Sequence, residues 1–236
     1  MKISIVSRTF EDENEIKKDI EEFSKSFGLV YNFVNENPDF VISYGGDGTF
    51  LIGERKFPGV PKILVKKSKT CKKCHELHIK EILKKIINKE YRIKEIPKIK
   101  ANLKNSFDKE LIAVNDIVIR NTLPTEAIRF KVFIDEKEIG MYIGDGVVIA
   151  TPFGSTAYFH SITRKSFEEG LGIAFNNTTE IVEPKILDEN SEIFIEILRG
   201  PAVLVADNNR NFIDLKENDV VIIKKIEEKA KIVVFD

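Results

Sequence analysis

Apolar residues change their rhythm partway along this chain, and that change constrains the fold more than any other feature. Lys2–Ser7 reads as a strand, and Asn14–Phe27 then places Ile16, Ile20, Phe23 and Phe27 on one helical face. Gly28 ends that helix. Leu29–Val34 and Phe40–Tyr44 read as strands, followed by a short helix around Thr49–Arg55 and a fourth strand at Lys62–Val65. Glu76–Asn88 returns to the helical period with Leu77, Ile79, Ile82, Leu83, Ile86 and Ile87. Strand–helix alternation predicts a Rossmann-like parallel sheet with helices on its faces. From about Tyr91 the texture becomes a series of short β-rich runs: Leu111–Arg120, Ala127–Ile134, Glu138–Ile143, Val147–Ala150, Ile193–Leu198, Ala202–Ala206, Phe212–Leu215, Val220–Ile226 and Lys231–Phe235. Turn signals such as Asp207-Asn208-Asn209 and Glu217-Asn218-Asp219 separate them. The expected fold class is therefore α/β plus β. An N-terminal α/β domain would span residues 1–95. A C-terminal all-β, sandwich-like domain would span 96–236, its last segment a candidate to return to the first domain.

The run Val41-Ile42-Ser43-Tyr44 ends in Gly45-Gly46-Asp47-Gly48, and Thr49-Phe50-Leu51 leads into a helical segment. Glycine allows a backbone to approach a phosphate closely. A helix start offers unpaired N–H groups and a favourable dipole for an anion. A carboxylate inside such a loop is placed to hold and deprotonate an acceptor hydroxyl. In parallel sheets, ligands bind beyond the carboxyl ends of the strands, where Asp47 falls. An ordinary turn is the competing reading. The loop is neither a P-loop nor a dinucleotide fingerprint, because the G-x-x-x-x-G-K spacing and a third small residue are both missing.

Two further patches carry chemistry. Gly144-Asp145-Gly146 precedes an apolar strand that runs into Thr151-Pro152-Phe153-Gly154-Ser155-Thr156-Ala157-Tyr158. Its hydroxyls and backbone groups suit the edge of a base, and its ring suits a planar ligand; a helix cap is the plain alternative. Asn115 and Asp116 sit side by side within an apolar stretch, so burial obliges at least one of them to find a partner, either a ligand or another loop.

In this order the three patches resemble the NAD kinases. Gly45 to Leu51 resembles the family's GGDGT loop, with Arg55 at a position that is often basic. Asn115-Asp116 resembles an Asn-Glu pair with the acid one carbon shorter. Asp145-Gly146 with Thr151-Pro152 and Gly154 to Tyr158 resembles the DG…STPTGSTAY segment. The glycine loop is shared with lipid kinases and phosphofructokinases, whereas Gly154 to Tyr158 discriminates. The chain departs from the family after Pro61, where a glycine-rich turn is replaced by the basic Ile63 to Cys71. It also departs after Tyr158, which is followed by Phe159-His160-Ser161-Ile162-Thr163, and at Asp207-Asn208, where the family has Asp-Gly.

The resemblance implies transfer of a phosphoryl group from ATP or polyphosphate to the 2′-hydroxyl of the adenosine ribose of NAD, with NAD in the cleft between two domains. It assigns Asp47 to the acceptor hydroxyl. Gly45, Gly46, Thr49 and Arg55 would serve the phosphates, with Gly48 lying against both phosphate and NAD. Asn115 and Asp116 would contact the adenosine portion. Thr156, Ala157, Tyr158 and Ser161 would line the adenine and nicotinamide ends, and Asp145 the nicotinamide side across a subunit interface. Mg²⁺ or another divalent cation is the implied cofactor, with no protein metal ligands assigned, and a homodimer or homotetramer the implied assembly. A lipid or diacylglycerol-type kinase and a non-catalytic NAD sensor are the alternatives. The first lacks a reason for Thr156 to Tyr158, while the second draws on the glycine-poor segment after Pro61.

The formal charge of −1 and a pI near 6.4 do not suggest a nucleic-acid binder. Charged residues at 32% with no Trp and no Gln lean toward a heat-adapted host. Met1 to Val6 runs straight into charged sequence and no apolar run is long enough to cross a bilayer, so a cytoplasmic protein without membrane contact is expected. The only cysteines lie in Cys71-Lys72-Lys73-Cys74-His75-Glu76-Leu77-His78. Zinc ligation, a redox pair, a disulfide and a haem-attachment string are all open readings, and the spacing is tighter than structural zinc sites use. Lys66, Lys67, Lys69, Lys72 and Lys73 form a basic cluster that reads as a solvated face or as a phosphate-donor contact.

Overall fold

The computed structural model describes residues 1–28, 30–67, 71, 73–104 and 106–235. The chain divides into two compact units, Met1–Ile96 with Lys229–Asp236, and Pro97–Glu228.

The first unit begins with β1 (Lys2–Val6), α1 (Phe10–Phe27), β2 (Asn32–Phe33), β3 (Phe40–Gly45), α2 (Asp47–Lys56), β4 (Pro61–Lys66) and α3 (Ile79–Ile87). The strands are parallel in the order β2-β1-β3-β4. Alternation along β3 assigns the faces. Ile42 and Tyr44 pack with Ile16, Ile20 and Phe23 of α1 and Ile79, Ile82 and Ile86 of α3, whereas Val41 packs with Val6, Phe57 and Ile52 beside α2. Two boundaries differ from the periodic reading. Helix α1 starts at Phe10, because the Thr9 hydroxyl accepts from the Asp12 amide at 3.1 Å and Glu11, Asp12 and Glu13 fill the first turn. Helix α3 starts only at Ile79, where His78 caps it, so Leu77 precedes the helix. Of the strand expected at Leu29–Val34 only Asn32–Phe33 is a strand, and Leu29 lies outside the described residues.

The second unit holds β5 (Arg92–Leu103), β6 (Ser106–Ala113), β7 (Asp116–Asn121), β8 (Ile128–Ile134), β9 (Lys137–Gly144), β10 (Gly146–Ala150), α4 (Tyr158–Thr163), β11 (Leu171–Asn176), β12 (Lys185–Leu187), β13 (Ile193–Arg199), β14 (Ala202–Ala206), β15 (Ile213–Leu215) and β16 (Val220–Val234). The unit boundaries fall within β5 and β16. One antiparallel sheet runs β12-β11-β10-β7-β14-β15, and β16, β13, β8 and β9 pair antiparallel in a second. Ile117, Ile119, Val147, Ile149 and Ile173 of the first face Phe130, Val132, Ile195 and Val221 of the second in one core, which makes the unit a β-sandwich. The other face of the first sheet takes Phe159 of α4 against Val118, Val148 and Ala174. The run expected as one strand over Leu111–Arg120 is broken at Val114-Asn115, and the two runs expected near the C-terminus are the single strand β16, whose Lys231 and Ile232 pair with Pro61 and Lys62 of β4.

One buried charge pair stands out in the first unit. Lys62 on β4 is fully buried and pairs with Glu54 of α2, which also accepts from the Gly59 amide at 3.0 Å. Removing one partner takes a counter-charge from the other, which stays buried. We therefore expect Lys62→Met to lower stability by about 3–5 kcal/mol, read from urea unfolding midpoints, and Lys62→Met with Glu54→Leu to recover much of that loss.

Candidate active site

Strand β3 ends at Gly45, extended Gly46 caps α2, and Asp47 is the first residue of the helix rather than part of a free loop. That position sets its carboxylate in the turn where the helix dipole favours negative charge. Asp47 is half-buried, and its Oδ1 lies 3.2 Å from Cys71 Sγ. Thr49, expected among the phosphate contacts, is fully buried; its amide donates to Gly46 O at 2.9 Å and its hydroxyl accepts from the Gly46 amide at 3.4 Å. Thr49 thus braces the loop from inside. Gly45 makes room for it, since a Cβ there would stand 2.2 Å from Thr49 Oγ1. Arg55 is exposed in the last turn of α2, about 12 Å along the axis from Asp47.

The basic cluster is engaged where it is described. Lys67 pairs with Glu15 and, at 3.5 Å, with Asp12, and Tyr44 donates to Glu15 at 2.8 Å. The Lys67 hydrogen bond holds the Glu15 carboxyl below its usual range. Lys66 pairs with Glu76 at 2.5 Å, while Lys69 and Lys72 lie outside the described residues. Cys71 and Cys74 form a disulfide. The histidines beside them have structural roles. His78 caps α3, and the His75 Nε2 lies 2.8 Å from Val233 O, to which it must donate because a carbonyl only accepts.

In the second unit the break at Val114-Asn115 is built by three neighbours. The Asp207 carboxylate, at a residue with φ of 49°, accepts from the amides of Val114 at 2.9 Å, Asn115 at 2.7 Å and Asp116 at 3.2 Å. Thr151 donates its hydroxyl to Val114 O at 2.5 Å and its amide to Asn115 O at 2.9 Å. Gly154 lies flat on the same turn, where a Cβ would meet Asn115 O at 2.0 Å, so only glycine fits. Asn115 and Asp116 are both buried, and the Asn115 side-chain oxygen is buried without a hydrogen-bond partner among the described residues. The following loop is anchored by Ser155, which donates to Phe167 O at 2.9 Å. This leaves Thr156 exposed and Ala157 and Tyr158 half-buried, with the Tyr158 hydroxyl accepting from Asn176 at 3.3 Å. Ser161 is exposed and donates to Ala157 O at 3.2 Å, and His160 lies 3.2 Å from Lys165 O.

Asp145 stands apart from this group. Its carboxylate accepts from Asn121 at 3.3 Å and Asn177 at 3.0 Å. It precedes Gly146, whereas Asp116 pairs with Ala150 at the other end of β10, roughly 15 Å away along the strand. Gly146, at φ 152°, admits no side chain because a Cβ would meet Ile119 O at 2.0 Å. Sequence reasoning missed the clamp made by Asp207. The signal was present as a polar turn after an apolar strand, but its partners lie more than 90 residues away.

A carboxylate in the first turn of a helix behind a glycine loop, on a chain that also carries a turn whose Asn115 amide oxygen has no partner among the described residues, suits a nucleotide-dependent phosphotransferase. Comparison with known proteins narrows the class. A family model described as the ATP-NAD kinase C-terminal domain matches residues 114–235. The NAD kinase of Sulfurisphaera tokodaii is 30% identical over all of this chain and 96% of its own length. A bifunctional NADP phosphatase/NAD kinase of Methanococcus maripaludis is 29% identical over 88% of this chain, which spans 38% of that longer protein. Among solved structures, an Archaeoglobus fulgidus NAD kinase in complex with ATP shares the fold with a TM-score of 0.81 at 22% identity, covering 100% of this chain and 94% of the other. The chain belongs to the NAD kinase family.

Two measurements test this geometry. Asp207→Asn sets an amide N–H against the Val114 amide; we expect it to lose about 2 kcal/mol in denaturant unfolding. Burial lowers the His75 pKa from 6.5, so the folded state holds fewer protons there than the unfolded chain. The His75 contribution is therefore complete above about pH 6.5 and is lost as pH falls through the depressed folded value. Unfolding midpoints should drop across that acid window, and His75→Gln should flatten the drop.

Proposed function

We propose that this protein transfers a phosphoryl group from ATP or polyphosphate to the 2′-hydroxyl of the adenosine ribose of NAD, making NADP. In this reading Asp47 accepts the proton of the hydroxyl as its oxygen forms the new P–O bond and the donor's bridging P–O bond breaks. Gly46 and Gly48 bring the backbone close to the phosphates, and Gly45 and Thr49 hold that backbone in shape. The observation that carries the proposal is the Asn115 side-chain oxygen, buried with no partner among the described residues on a turn fixed by other residues. A buried acceptor left unsatisfied is costly, and an adenosine amine or hydroxyl would relieve it. Asp116 flanks that contact. Thr156, Ala157, Tyr158 and Ser161 follow on the loop that Gly154 and Ser155 anchor, with faces left for the rest of the dinucleotide. Arg55, exposed at the far end of α2, is the least favoured of the phosphate contacts.

A divalent cation such as Mg²⁺ would be held by oxygens of the substrate phosphates and by water, with no side chain of this chain assigned to it. When bound, it would offset charge on the transferred group. The separation of Asp145 from Asp116 supports assigning Asp145 to the nicotinamide side of a neighbouring copy's site, in a homodimer or homotetramer. No described helix is long and apolar enough to cross a membrane, and we place the activity in the cytoplasm.

Asp47→Asn tests the reading. NADP formation from NAD and ATP should fall by about 10²–10⁴-fold with unfolding midpoints near those of the parent. Turnover within a few-fold of the parent would exclude Asp47 as the acceptor of the hydroxyl proton.

A further inference from the structure

We propose that Cys71 and Cys74 form a reversible dithiol–disulfide site that sets the state of Asp47; its effect on turnover rests on the reading of Asp47 as the group facing the acceptor hydroxyl. The pair is not remote from the chemistry. Cys71 Sγ lies 3.2 Å from Asp47 Oδ1, and Cys74 Sγ lies 3.9 Å from Gly45 O, so both sulfurs touch the glycine loop. The Asp47 oxygen and the two sulfurs all lie within 4.8 Å of one another. In the disulfide, Cys71 Sγ carries no hydrogen and gives Asp47 no hydrogen bond.

Exposure decides the route of reduction. Cys74 is half-buried, whereas Cys71 is buried at 8% exposure, so the thiolate of an external dithiol meets Cys74 first. Attack forms an S–S bond to Cys74 and releases the Cys71 sulfur. The second thiol of the reductant then displaces Cys74. The external dithiol leaves as a disulfide, having given two electrons and two protons to Cys71 and Cys74. Beside the Asp47 carboxylate a Cys71 thiolate is opposed by like charge, so its sulfur takes a proton. The resulting S–H donates to Asp47 Oδ1, and the Cys74 S–H faces Gly45 O.

Reduction therefore adds a donor to the oxygen that would take the proton of the substrate hydroxyl. It should lower turnover by about three- to tenfold. Oxidation restores it. Two substitutions separate the donor from the disulfide. Cys71→Ser keeps a hydroxyl donor at the position and should resemble the reduced protein whether or not reductant is present. Cys71→Ala has no donor and should resemble the oxidised one under both conditions.

The experiment uses the full chain, oxidised with trans-4,5-dihydroxy-1,2-dithiane or reduced with dithiothreitol, in buffer containing a chelator until the protein is exchanged into assay buffer. Thiol counting by mass after alkylation should give none and two free thiols. The ¹³C chemical shift of the Asp47 carboxyl, read at one pH, should differ between the two states, and NADP formation should be slower in the reduced one. Two thiols persisting after oxidant, an Asp47 carboxyl chemical shift identical in the two states, or Cys71→Ser and Cys71→Ala behaving alike would each overturn the proposal. If no NADP forms in either state the kinase reading fails, and the Asp47 carboxyl chemical shift still decides this one.

Discussion

The second unit's share of the candidate site depends on a single carboxylate. Asp207 gathers the amides of Val114, Asn115 and Asp116, and in doing so breaks what would otherwise be one strand into β6 and β7. Three charge-assisted hydrogen bonds satisfy a kink that the sheet ladder cannot. Everything else at that turn is fitted to it: Thr151 bonds its carbonyls, and Gly154 lies against Asn115 with no space for a side chain. The clamp fixes the Asn115 backbone while its side-chain oxygen stays buried with no partner among the described residues.

A similar division of labour operates in the first unit. Thr49 spends its hydroxyl and amide on Gly46 and is wholly buried, so the helix start keeps its shape before any ligand arrives. Asp47 is left half-buried at the first position of α2. Preorganisation of this kind would set Asp47, the proposed acceptor of the hydroxyl proton, on a rigid element while its neighbours hold the geometry.

The parallel sheet, helices α1 and α3 and the β-sandwich were legible because burial imposes periods of 3.6 and 2 on the apolar residues. The candidate site residues were legible only through motif order and its resemblance to a family. What could not be read had non-local causes. The start of α1 follows from Thr9 and three acids rather than from apolar spacing. The break before Asp116 follows from Asp207, distant in sequence. Strand β11 escaped notice because Leu171–Asn176 includes Gly172 and no alternation, being packed on both faces. The lysines that looked like a phosphate contact include two, Lys66 and Lys67, already paired with Glu76 and Glu15. No local pattern announces a partner such as Glu15, which comes from α1.

A crystal structure of this chain with NAD bound is the most direct test of Asp47 as the group that faces the acceptor. The 2′-oxygen of the adenosine ribose should lie within about 3.2 Å of an Asp47 carboxylate oxygen, with a donor group of the adenosine on the Asn115 side-chain oxygen. NAD bound with its adenosine away from both residues would contradict that assignment.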